Sequence, residues 1–74
     1  MKSSCLNDIQ VSEEVLARVA YQQRDVLAPL LSFCAGPREQ RMLIRELAIY
    51  LDRPTDLAAV RSWTARVTAL RARA

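Results

Sequence analysis

Glycine occurs once in this 74-residue chain, at Gly36, and that scarcity restricts the architecture more than any other feature. Two-residue hairpins draw on glycine for backbone with positive φ, and a sheet of short strands needs several of them. Runs of β-branched residues are missing too. The chain therefore reads as all-α: a small bundle of three to four helices behind an extended N-terminal segment. Its length suits one domain over residues 1–74. A chain this short buries only ~60% of its unfolded surface, so the fold is marginal alone and gains from a partner.

Proline and the one glycine set the stops. Residues 1–10 carry no helical period, and Ile9-Gln10-Val11 alternates like extended chain. Ser12 reads as an N-cap, with Glu13 and Glu14 in the first turn, where the helix dipole favours anions. Val15, Leu16, Val19, Ala20, Val26, Leu27, Leu30, Leu31 and Cys34 then fall on one stripe. Pro29 predicts a kink near Asp25, or two helices with Asp25 capping the second, and Gly36 reads as the C-terminal stop.

Pro37 suits the first turn of the next helix, which ends at Asp52. Leu43, Ile44, Leu47, Ala48 and Leu51 form its apolar face, and Glu39 and Glu46 join arginines on its solvated face. Thr55 or Asp56 caps the last helix. Its stripe is Leu57, Val60, Trp63, Val67 and Leu70, with residues 71–74 a frayed basic tail. Trp63 is the largest core candidate.

The chemistry of enzymes is hard to assemble here. There is no histidine, so the usual base near neutral pH is missing, and neither Ser-His-Asp nor Cys-His sets exist. Glu13-Glu14 and the acids between Asp52 and Asp56 sit where helix caps belong. No catalytic residue, cofactor site or metal site is expected. Cys34 lies on an apolar stripe as a core thiol, and Cys5 sits near the terminus with no base beside it in sequence. No apolar run approaches a membrane span and no signal peptide opens the chain, so a cytoplasmic monomer with no membrane contact is expected.

Charge points to a binding role. Arginine occurs ten times and lysine once. From Val60 to Ala74 the chain holds Arg61, Arg66, Arg71 and Arg73 with no acid, which makes them the candidate nucleic-acid contacts. Arg38, Arg41 and Arg45 stand three and four apart on one helix face and are candidate partner contacts. Leu6, Ile9 and Val11 complete that set, either folded onto the bundle or offered to a partner's sheet edge.

Two resemblances follow from these residues. Leu47-Ala48-Ile49-Tyr50-Leu51-Asp52-Arg53-Pro54, followed by Val60-Arg61-Ser62-Trp63, is similar to a helix-turn-helix pattern. Asp52 stands where that pattern usually turns on glycine. The resemblance implies a sequence-specific DNA-binding repressor. The opening Met1-Lys2-Ser3-Ser4-Cys5-Leu6 and the Arg/Ala-rich helical body resemble small Xanthomonas-phage antiterminators that bind host RNA polymerase. That resemblance implies docking on the N-terminal region of the polymerase β′ subunit, near the RNA exit channel. It further implies inhibited initiation and suppressed termination. Polymerase-binding transcription regulator is the leading expectation, the DNA-binding repressor is the alternative, and a helical protein–protein adaptor is the third.

Overall fold

A computed structural model describes residues 10–73 as four helices with no strand among them. They are α1 (Glu13–Gln22), α2 (Arg24–Leu31), α3 (Pro37–Asp52) and α4 (Leu57–Ala72). The all-α expectation stands. Leu6 and Ile9, with Cys5, lie outside the described residues.

Local chemistry explains each start. Ser12 is extended, and its hydroxyl accepts the Val15 N–H at 3.2 Å. Asp56 does the same for α4, accepting the Ala58 N–H at 2.9 Å, so it rather than Thr55 is the cap. Pro37 takes the first position of α3, where a missing N–H costs nothing. Glu39 reaches back from the first turn to accept the Ala35 N–H at 2.8 Å.

Two stops differ from expectation. The α1–α2 break falls at Gln23, two residues before Asp25, and Asp25 sits inside the first turn of α2 instead of capping it. Arg24 fastens the junction: its Nη1 donates to the Tyr21 carbonyl at 2.8 Å, and its guanidinium lies 4.6 Å from the Tyr21 ring centroid. Helix α2 ends at Leu31, well before Gly36. Gly36 is instead the fully extended N-cap of α3, with φ 178°.

The core is Val19, Leu27, Leu30, Leu43, Leu47, Ala48 and Leu70, with Leu27, Leu43 and Leu70 fully buried. Helix α3 is central, packed by α4 and by α1, while α2 spans α3 and α4. Burial from more than one side explains why the apolar face of α3 is wider than one stripe. Ile49 is buried, beside Val11 and Val15, and Glu46 is buried as well. Glu46 therefore does not belong to the solvated face. The helix ends reach past the packing, so Leu51 and Leu57 are exposed at 45% and 67%. Val26 is half exposed because the break at Gln23 resets the helical phase. Trp63 is partly buried and stacks on Tyr50, centroids 6.2 Å apart at 23°.

Candidate functional site

The C-terminal arginines divide into two pairs. Arg66 meets the buried Glu46 at two points, Nε to Oε1 at 3.0 Å and Nη2 to Oε2 at 2.7 Å. Arg73 meets Glu39 in the same way, Nη1 to Oε1 at 2.6 Å and Nη2 to Oε2 at 3.3 Å, and also donates to the Phe33 carbonyl at 3.4 Å. The carboxylates are seven residues apart on α3 and the guanidiniums seven apart on α4. The pairing order, the later carboxylate with the earlier guanidinium, runs the two helices antiparallel, with two-point geometry at each rung.

This corrects the reading of four uncompensated arginines. Arg66 and Arg73 are neutralised within the fold, and within the stretch expected to fray α4 runs to Ala72 with Arg73 as its C-cap, while Ala74 lies outside the described residues. Hydrogen bonding to Glu46 raises Arg66 above the usual guanidinium range, against the opposing effect of burial. Hydrogen bonding from Arg73, then from the Ala35 N–H, holds Glu39 below its ordinary value. Burial, and then the Glu39 charge, pushes the Cys34 thiol above its ordinary value.

Arg61 and Arg71 remain. Both are exposed, and neither has a carboxylate partner among the described residues. Two stripes with 4, 3, 4, 3 spacing run along α4. Ala59, Trp63, Arg66, Leu70 and Arg73 form the one that holds the neighbouring elements, and Leu57, Arg61, Thr64, Thr68 and Arg71 form an exposed one.

The second arginine group is not a free basic face either. Arg41 pairs with Glu13 of α1, Arg45 is partly buried, and Arg38 is exposed. Of the N-terminal candidates, Val11 packs against the core.

Beside the exposed stripe lies a groove of about 260 Å³ between α2 and α4. Its walls include Val26, Pro29 and Phe33 on one side and Trp63 and Val67 on the other, with Arg71 also lining it. Sequence reasoning passes over this groove because Trp63 and Val67 read as plain core. No group of three or more His, Cys, Asp or Glu side chains able to hold a metal occurs among the described residues. No helix among them is long and apolar enough to cross a membrane. No family model, curated protein or solved structure matches this chain.

The antiparallel α3–α4 alignment also bears on the helix-turn-helix resemblance. That motif crosses its two helices at about 90–120° so that the second can enter a major groove. In this chain the corresponding helices, α3 and α4, are joined by two ion pairs at matched spacing.

Proposed function

We propose that this chain is a non-enzymatic transcription regulator that binds host RNA polymerase by protein–protein contact, inhibiting initiation and suppressing termination. The observation that carries the binding role is the exposed face of α4. There an apolar groove with two aromatic side chains adjoins a stripe bearing two arginines that the fold leaves unneutralised. Monomeric proteins keep such surfaces small unless they contact something. The polymerase as partner rests on the resemblance of the opening residues and the Arg/Ala-rich body. On this reading Arg61 and Arg71, both exposed and without a carboxylate partner among the described residues, would meet nascent RNA or an acidic polymerase surface.

The test is tagged chain expressed in Xanthomonas cells, followed by transcription with the purified components. Co-purification with polymerase, fewer promoter-initiated transcripts and more read-through at a terminator are expected. Transcription unaltered at saturating protein would sink the proposal.

A further inference from the structure

Beyond the class of partner, the groove between α2 and α4 carries an inference about what recognises it. We propose that it is a docking site for an acidic amphipathic helix of a partner protein, whose apolar side chains enter beside Trp63 while an Asp or Glu meets Arg71. This deepens the binding role proposed above and does not depend on the partner being polymerase.

The lining decides the chemistry. Val26 is half exposed, and Phe33 and Trp63 are only partly buried, so apolar area faces water on both walls. Arg71 supplies the charge within this lining, and no carboxylate among the described residues takes it up. Its neighbours in sequence show the contrast: Arg66 and Arg73 each hold a carboxylate at two points. A free guanidinium beside an apolar slot complements a carboxylate on an otherwise apolar face.

A nucleic acid fits the slot less well. Aliphatic and aromatic walls with a single charged side chain are poorly suited to reading base edges, and only two arginines of the exposed stripe are free for phosphates. Helices α2 and α4 flank the groove, as in the mode where an amphipathic helix lays its apolar face between two others.

Selection on the full chain from a displayed library of helix-forming peptides tests this. Enriched peptides should carry aromatic or aliphatic anchors three or four positions from an Asp or Glu. They should shift the emission of Trp63, the chain's only tryptophan, and perturb the amides of Val26, Phe33 and Val67. On Arg71→Glu they should bind at least about tenfold more weakly, and fresh selection should favour Lys or Arg at the facing position. Arg71→Gln, at the same exposed site, repeats the affinity comparison without reversing charge. No enrichment, acid-free peptides, binding that maps elsewhere, or unchanged affinity in both variants would overturn the proposal. So would oligouridylate, or a second copy of this chain detected by sedimentation, seating on the same amides. Peptide binding without polymerase binding keeps the groove and removes the polymerase reading. Polymerase binding that ignores both Arg71 variants does the reverse.

Discussion

Arg66 and Glu46 form a two-point ion pair in which the carboxylate side chain is only 9% exposed and the guanidinium 27%. The pair joins α4 to α3 and fixes their register. Because Glu46 is the more deeply buried partner, the two ways of breaking the pair are unequal. Arg66→Met leaves a carboxylate without a counter-charge inside the fold. Glu46→Gln leaves an arginine that still reaches water and an amide.

Arg66→Met should therefore destabilise the fold by about 2–4 kcal/mol, below the fully buried limit because Arg66 is partly hydrated. Glu46→Gln should cost at least about 1 kcal/mol less. For a domain of this size each kcal/mol moves the midpoint by about 4–8 °C, so thermal melts separate the two. Equal midpoints would mean that the carboxylate is hydrated after all.

The Glu39–Arg73 pair sets an acid limb. Glu39 sits below its ordinary value of 4.5 in the folded state, so the unfolded chain binds the extra proton first. The stabilisation is fully present above that value and is lost as pH falls through the folded one. Glu39→Gln should flatten this part of the stability–pH curve and leave the region near neutrality free of new slope. Chemical denaturation at a series of pH values reads it.

Gly36 is extended, and a Cβ built there meets nothing within 4 Å. The position requires no glycine. Gly36→Ser should raise stability by about 0.5–1 kcal/mol, by restricting the unfolded chain and adding a capping hydroxyl to α3. A lower denaturation midpoint would show that the extended conformation is strained for side chains.

Much of the fold is legible in the sequence because it is set locally. Ser12, Pro37, Asp52 and Asp56 mark helix boundaries through their own caps and breaks. The ion pairs are not local. Counting charge along the chain finds no acid near Arg66 or Arg73, yet Glu39 and Glu46 already carry the same seven-residue spacing. Matching that spacing between two candidate helices, with the short Asp52-to-Leu57 connection to set them antiparallel, would have exposed the pairs. Leu51 and Leu57 illustrate the opposite limit: an apolar stripe records helical phase, whereas burial depends on where the neighbouring helix stops.

Non-specific contact with nucleic acid, where it occurs, should run through Arg61 and Arg71. The Arg61→Ala, Arg71→Ala double variant should lower the salt slope of RNA or DNA binding by up to about two. Glu39→Gln should raise it, since it releases Arg73. Filter binding across a salt series measures both, and a slope indifferent to Arg61 and Arg71 would exclude the exposed stripe from phosphate contact.

The most direct measurement is a titration of the end-labelled chain with purified Xanthomonas RNA polymerase, followed by anisotropy across a salt series and compared with duplex DNA. Saturable polymerase binding that survives at salt where duplex binding has collapsed is expected, because an apolar groove is screened far less than phosphate contacts. Duplex binding as tight as polymerase binding, or polymerase binding that never saturates, would contradict a helical scaffold that works by gripping another protein.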